Sequence, residues 1–459
     1  MPARERAQWA LAAVLSLALL MAPALWNGFP LLQWDTGGYL ARWYEGILVP
    51  SRAVVYGLVL FASVPLGLWP VLLLQSALTI WIVALMLRAH GCGGRPWLMV
   101  GVIAALSIFT TLPWLTSILL TDIFCGLSVC ALYLLLLRGE TLTRGERIGL
   151  IVLIAVSSAT HSATFAVLLA LLVAGALLRL IDRERIPGRA LMRGIVALVV
   201  GAALVFAADY AVAKRLAWTP GGFALSFGRM LQDGIVNQYL DAHCPDSTLK
   251  LCAYKNELPR DADVWFWASP LFDKLGRFAG LNGEMQRIAL GALADYPALQ
   301  IEDAAIATAK QLVAVRTGEG VLTVIWHTYR IIERYTPQLA PAMHAARQQH
   351  GEIAFSMINR LHYPLALFAM TMLPFLAVAG WRGWIARELG ELAAAVTLAF
   401  LANAFVCGAL SNPHDRYGAR MVWLAGVALA LALARYRQQA RDVLPARYLP
   451  SELPSSALT

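Results

Sequence analysis

The feature that most constrains this chain is the recurrence of apolar runs. Several approach or exceed the roughly 18–20 residues that a helix needs to cross a bilayer. The first, "ALAAVLSLALLMAPALW", fills residues 10–26. Such Ala- and Leu-rich runs lack the alternation of a membrane barrel strand. With 59% hydrophobic and 14% charged residues, the chain reads as an all-α polytopic membrane protein. Its basic-then-apolar start has the look of a signal peptide. The apolar core is too long for one, however, and no small-residue cleavage site clearly follows, so the first run reads as a retained span.

The pattern predicts about ten spans, at 8–26, 68–88, 97–115, 120–138, 147–161, 162–179, 194–212, 362–381, 389–410 and 420–435. The pair 147–161 and 162–179 is short and interrupted by "SSATHSAT", so a broken hairpin that does not fully cross twice is an alternative. Every second connection is arginine-rich: Arg4 and Arg6, Arg88 and Arg95, Arg138 to Arg147, Arg179 to Arg193, Arg382 and Arg387, then Arg435 to Arg447. Basic residues mark the cytoplasmic side, so both termini are expected inside, in a bacterial-type inner membrane. The net charge of +9 follows from these clusters. No basic stripe with interleaved aromatics suggests nucleic acid.

The expected organisation is a transmembrane module over 1–212 with a first outside loop at 27–67, and a mainly helical extracytoplasmic domain at 213–361. A second transmembrane module at 362–440 and a cytoplasmic tail at 441–459 follow, the tail ending as a disordered "LPSELPSSALT". Within the large loop, helices are expected at 283–295, begun by Asn282, and at 297–316, begun by Pro297. Cys244 and Cys252 in "CPDSTLKLC" suit a short disulfide loop, which persists in an oxidising space such as a periplasm. The other cysteines (Cys92, Cys125, Cys130 and Cys407) read as small buried residues. "DVWFWASPLF", 263–272, offers aromatics for sugar stacking or, as the stronger reading, for burial.

Two polar stretches stand out at the outer rim. "NGFPLLQWDTGGY", 27–39, sets Asp35 just past the first span, either as a turn residue or as an acid with a chemical task. The aromatic, amphipathic segment 40–67 after it reads as a platform along the interface. "LSNPHDRYGARMVWL", 410–424, gathers His414, Asp415, Arg416 and Arg420 in an outside turn where arginine is otherwise scarce. These cations either snorkel to lipid phosphates or hold a substrate phosphate, which suits the planar fork of arginine. Arg42 and Arg52 on the platform are further candidates for that phosphate.

This arrangement resembles the opening of the GT-C superfamily of membrane glycosyltransferases, among them the lipid A aminoarabinose transferases and protein mannosyltransferases. The resemblance rests on Asp35-Thr36-Gly37-Gly38-Tyr39, on Ser51-Arg52-Ala53-Val54-Val55-Tyr56, and on "PWLTSILLTDIFCG", 113–126, where Asp122 stands at the outer start of a span. Thr36 occupies the place of the second acid found in many relatives, which argues against a metal-binding acidic pair, so no metal or cofactor is indicated. His161 lies where relatives often carry a polar residue in a broken span pair. The resemblance implies transfer of a sugar from a polyprenyl-phosphate donor to an extracytoplasmic glycan, lipid-linked polymer or protein. Asp35 would be the base of a single, inverting displacement, and Arg416, Arg420, His414, Arg52 and Arg42 would hold the phosphate. Asp122, His161 and Tyr39 are secondary polar residues of such a site. Asp122 could instead be a helix-start acid at the positive dipole end, and His161 a structural, hydrogen-bonded residue.

Two other functions remain open. An O-antigen ligase or polymerase with a diphosphate-linked donor would draw on the loop residues Arg229, Arg260, Arg277, Arg287, Arg316, His327, Arg330 and Arg334. A transporter or flippase of lipid-linked substrate would use broken helices near mid-membrane, for which only His161 and its Ser/Thr neighbours give a hint.

Overall fold

A computed structural model describes residues 2–219 and 222–443. The expected tail, from residue 444 on, lies outside the described residues. Among these residues every regular element is helical, apart from an isolated parallel bridge between Leu31 and Ile118. The first half runs through α1 (Ala3–Asn27), α2 (Trp34–Glu45), α3 (Val54–Ser63), α4 (Trp69–Ala89), α5 (Pro96–Phe109), α6 (Leu112–Ser117) and α7 (Asp122–Leu137). It continues with α8 (Arg144–Thr160), α9 (Ser162–Ile181) and α10 (Gly188–Ala213).

The middle of the chain holds α11 (Gly222–Gln232), α12 (Ile235–His243), α13 (Ala262–Ala268), α14 (Pro270–Lys274) and α15 (Arg277–Asp295). After them come α16 (Pro297–Val313), α17 (Trp326–Tyr335) and α18 (Ala340–His344). The chain then returns to long helices with α19 (Phe355–Trp381), α20 (Arg387–Ala404) and α21 (Asp415–Val443). The expected start at Pro297 holds, whereas α15 begins already at Arg277, behind a left-handed Gly276.

Among the described residues, seven helices are long and apolar enough to cross a membrane: α1, α4, α9, α10, α19, α20 with its π-turn extension, and α21. The protein is therefore a membrane-embedded helical bundle. Of the ten spans read from sequence, α5 and α7 are apolar but shorter, and α8 carries Arg144, Glu146 and Arg147 in its first turn.

The break at "SSATHSAT" falls at His161, whose extended backbone separates α8 from α9. Near its start, α8 meets the end of α4 through Arg88 and Glu146. The connection after α9 meets the start of α20 through Arg185 and Glu391, and Arg138 at the end of α7 binds the same Glu391. So α8 and α9 form a hairpin whose two open ends lie at one end of the bundle, beside the arginine-rich connections.

The two expected transmembrane modules share one core. α7 is buried from Asp122 to Leu136, and its buried residues join those of α1, α4, α8, α20 and α21 in a single cluster. The large loop, in contrast, divides. Residues between 224 and 292 build their own core around Phe227, Trp265, Phe272 and Met285, with Cys244 and Cys252 joined in the expected disulfide at its edge. The stretch from Val315 to Ala346 packs instead into the bundle core. The expected domain 213–361 is thus a small helical subdomain followed by a segment that belongs to the bundle. Apolar side chains of that second segment, such as Ile331 and Ile332, have no separate core to enter and pack beside α2.

Candidate functional site

Asp35 owes its position to a short run of local interactions. Gln33 caps α2: its side chain accepts the Asp35 N–H at 2.9 Å, and the Thr36 hydroxyl accepts the Gln33 N–H at 3.0 Å. The same Thr36 hydroxyl donates to the Leu119 carbonyl at 3.1 Å. The bridge between Leu31 and Ile118 runs alongside, with Leu31 N–H bonded to Ser117 O and Leu119 N–H to Leu31 O, both at 3.0 Å. Thr36 therefore pins the acid-bearing helix to the segment that leads into Asp122.

The glycines after it allow close approach. A Cβ on Gly37 would lie 2.7 Å from the Thr328 Cα of α17, and one on Gly38 would lie 3.0 Å from the Arg52 side chain. Gly57 on α3 has the same role, since a Cβ there would lie 2.5 Å from the Tyr39 carbonyl.

Five charged residues, distant in sequence, meet at the end of the bundle opposite the arginine-rich connections. Arg52 donates Nη2 to Asp35 Oδ1. Arg416 donates Nη1 to Asp35 Oδ2 at 2.6 Å and Nε to Asp122 Oδ2 at 2.7 Å. Arg420, one turn further along α21, sits 3.7 Å from Asp122 Oδ1. The side chains of Asp35, Arg52 and Arg416 remain 12–16% exposed, whereas those of Asp122 and Arg420 are 1% and 0% exposed. The cluster thus runs from a mouth to a sealed floor. Its three guanidinium groups face two carboxylates, leaving positive charge in excess. Three helices also begin here, with Asp35 in the first turn of α2 and Asp122 and Asp415 opening α7 and α21. Helix N-termini add a positive potential favourable to anions.

Burial alone would raise the Asp35 pKa, but Arg52 and Arg416 outweigh it and hold the carboxyl at about 2. Around the pair, the buried hydroxyls of Tyr39, Thr121 and Thr164, Nδ1 of His161, Oδ1 of Asp122 and Nη1 of Arg420 make no hydrogen bond. Buried polar atoms are rarely left so, since each costs about 1–3 kcal/mol. Their concentration at one place marks a site with unspent hydrogen-bonding capacity. Among the described residues no three His, Cys, Asp or Glu side chains converge as a metal-ligand set.

Asp35, Arg52, Arg416, Asp122, Tyr39 and His161 are all brought to this region. Three other expectations change. Arg42 is turned into its own helix: it donates to Gly38 O at 2.7 Å, to Ile47 O and to Glu45, so its role is to close the end of α2. His414 faces acids rather than the mouth, with Nδ1 2.8 Å from Glu319 and Nε2 3.3 Å from Asp263. Burial disfavours its charged form, but Asp263 and Glu319 prevail and raise its pKa to about 10. Arg420 lies too deep to reach an incoming group. It donates to Asn403 Oδ1 at 2.7 and 3.1 Å and braces Asp122 from below.

Sequence reasoning missed Glu319, Asn403 and Trp267. Glu319 accepts the Arg416 N–H at 2.7 Å and so orients the start of α21. It stands in "RTGEGV", where nothing singles it out. Asn403 carried a signal, a lone amide within an apolar span. Trp267 resolves the aromatic run: Trp265, Phe266 and Phe272 are buried, while Trp267 is 51% exposed with its ring 5.8 Å from the Arg52 guanidinium.

The loop arginines relevant to a ligase are dispersed. Arg229 pairs with Asp233, Arg277 with Asp273 and Arg287 with Asp246, while Arg316 lies over the Tyr363 ring. In comparisons with protein-family models, curated proteins and solved structures, the chain matches none.

Proposed function

We propose that the chain is a GT-C-type membrane glycosyltransferase that moves a sugar from a polyprenyl phosphate to an extracytoplasmic acceptor. In this reading the membrane is crossed ten times, with α5, α7 and α8 as shorter crossings. The arginine-rich end and both termini face the cytoplasm, and the Asp35 end faces the periplasm. The observation that carries the reading is the bond of Arg52 and Arg416 to opposite oxygens of Asp35 at a partly open mouth. A carboxylate and two forked cations at one point supply what phosphate-leaving glycosyl transfer needs: an acceptor for a hydroxyl proton and donors for the departing phosphate. Exposed apolar residues beside the mouth, among them Trp34, Ile47, Leu58 and Phe61, suit entry of a lipid-borne donor.

The low pKa of Asp35 bears on the mechanism. A carboxyl held at about 2 is a weak proton acceptor, because base strength falls with pKa. The donor phosphate competes for the same guanidinium groups. Once Arg52 and Arg416 turn to it, Asp35 loses the charges that depress it and its basicity rises. Donor binding thus activates the base. Asp35 then takes the acceptor hydroxyl proton as the acceptor oxygen bonds to the anomeric carbon. The bond from that carbon to the phosphate oxygen breaks, and its electron pair leaves with the phosphate. Asp122, held by Arg416 and Arg420, keeps Arg416 in register.

The test is a density map of the detergent-purified protein incubated with a polyprenyl phosphate. Phosphate density within hydrogen-bond reach of Arg52 or Arg416 supports the reading, and release of sugar from a labelled polyprenyl-phosphate donor should then depend on Asp35. Lipid density elsewhere, with the Asp35–Arg416 bond intact and no donor turnover, would remove it.

A further inference from the structure

The opposite end of the bundle contains a second built feature, independent of the Asp35 cluster. A cavity of about 410 Å³ opens between the end of α7, the hairpin turn after it and the start of α10. Its lining includes the apolar residues Leu135, Leu136, Leu137 and Pro187. It also includes Arg147, Arg185, Arg189 and Arg193, with Glu140 and Glu184. Arg147 is anchored to the Gly139 carbonyl at 3.2 Å and Arg185 to Glu391 at 3.1 Å. Arg189 and Arg193 have no hydrogen-bond or ion-pair partner among the described residues. They lie in the first two turns of α10, whose N-cap, Pro187, supplies no side-chain cap.

We propose that this cavity binds a phosphate ester, supplied by an anionic phospholipid of the adjoining leaflet. The cations and the uncapped helix start match the charge of a phosphodiester. The apolar part of the lining, at Leu135–Leu137, meets its acyl chains at the depth where a bundle helix ends. A basic pocket between membrane helices is the geometry expected for an anionic headgroup. A free phosphate would use the cations alone and leave the apolar lining without a role.

The full-length protein, purified in mild detergent, should be exchanged into nanodiscs of equimolar phosphatidylglycerol and phosphatidylcholine. Lipids retained on release are then counted by native mass spectrometry. The protein should retain phosphatidylglycerol in preference. The double variant R189Q/R193Q should lose that preference by on the order of tenfold or more, since each cation near a membrane surface contributes about fivefold. R144Q, at the same end but outside the cavity, should retain it. Equal retention by the double variant and the parent would overturn the proposal. So would an equal loss in R144Q, which would mean attraction to the whole basic surface. The single exposed variant R189Q, expected to lose about fivefold, carries the test if the double variant does not fold. A thermal shift in phosphatidylcholine nanodiscs reproduced by millimolar inorganic phosphate would overturn the lipid assignment.

Discussion

Arg416 donates to Asp35 at 2.6 Å and so ties the start of α21 to the first turn of α2, 381 positions apart in sequence. With Arg52 on the other carboxylate oxygen, this bond keeps Asp35 charged; under the proposed function, a donor phosphate that takes the arginines would release it. Asp35→Asn keeps the shape and removes the charge. It should lower sugar transfer by about 10²–10⁴-fold, the usual worth of a general base, with donor phosphate binding retained. Arg416→Gln should weaken that binding instead. Donor binding by microscale thermophoresis and turnover with labelled donor separate the two effects, and loss of binding in Asp35→Asn would count against the exchange of partners.

The floor of the site is structural, and its energetics differ from those of the mouth. Arg420 is wholly buried between Asp122, Asn403 and Cys407. Removing one partner of a buried charged pair costs about 3–5 kcal/mol, because the other charge is left uncompensated. Arg420→Met should therefore lower the detergent unfolding midpoint strongly. The double change Asp122→Asn with Arg420→Met should recover part of the loss. A midpoint unchanged in Arg420→Met would show that Arg416 alone satisfies Asp122.

Glycine positions near Asp35 give a graded series. Gly37→Ala meets the Thr328 backbone at 2.7 Å, which cannot yield, while Gly38→Ala meets the flexible Arg52 side chain at 3.0 Å. Overpacking of this kind costs about 1–3 kcal/mol, so Gly37→Ala should destabilise the fold. Gly38→Ala should leave stability nearly intact and disturb Arg52, reducing turnover. Gly101→Ala on α5, with nothing within 4 Å of its new Cβ, should be neutral or slightly stabilising, by up to about 1 kcal/mol. Thermal unfolding of the three variants ranks them.

Much of this site was legible because it rests on exceptions to a strong background. In apolar spans, a lone acid or cation is visible at once, so Asp35, Asp122, Arg416 and Arg420 stood out. Their roles were less visible. Arg42 and Arg52 lie on the same platform, and only the fold shows that Arg42 folds back on Gly38 O and Ile47 O while Arg52 reaches Asp35. Glu319 was hidden in a polar loop where acids are ordinary. The large loop was read as one domain because composition alone does not reveal that Ile331 and Ile332 are covered by the bundle core rather than by their neighbours in sequence. Trp267 reads like its buried neighbours, since three consecutive aromatics do not announce which ring faces outward.

His414 gives the remaining prediction, a pH dependence with a defined sign. Its ring joins Asp263 of the small subdomain to Glu319 and the start of α21, with the Tyr417 ring beside it. Since its pKa in the fold is raised to about 10, the stabilisation is complete below the ordinary histidine value of about 6.5. It is lost as pH rises through about 10. Glu319 has the opposite shift: burial opposes its charge, but His414 and the Arg416 N–H hold its pKa down. Its contribution is present above the ordinary glutamate value of about 4.3 and fades as pH falls. The clamp between the subdomain and α21 is therefore strongest between about pH 4.3 and about pH 6.5. Unfolding midpoints should decline between about pH 7 and pH 10, on the order of a few kcal/mol in all. In His414→Asn the midpoint should start lower and that decline should flatten. A parent midpoint with no slope in this window, or a variant with the same slope as the parent, would show that His414 is not the titrating link.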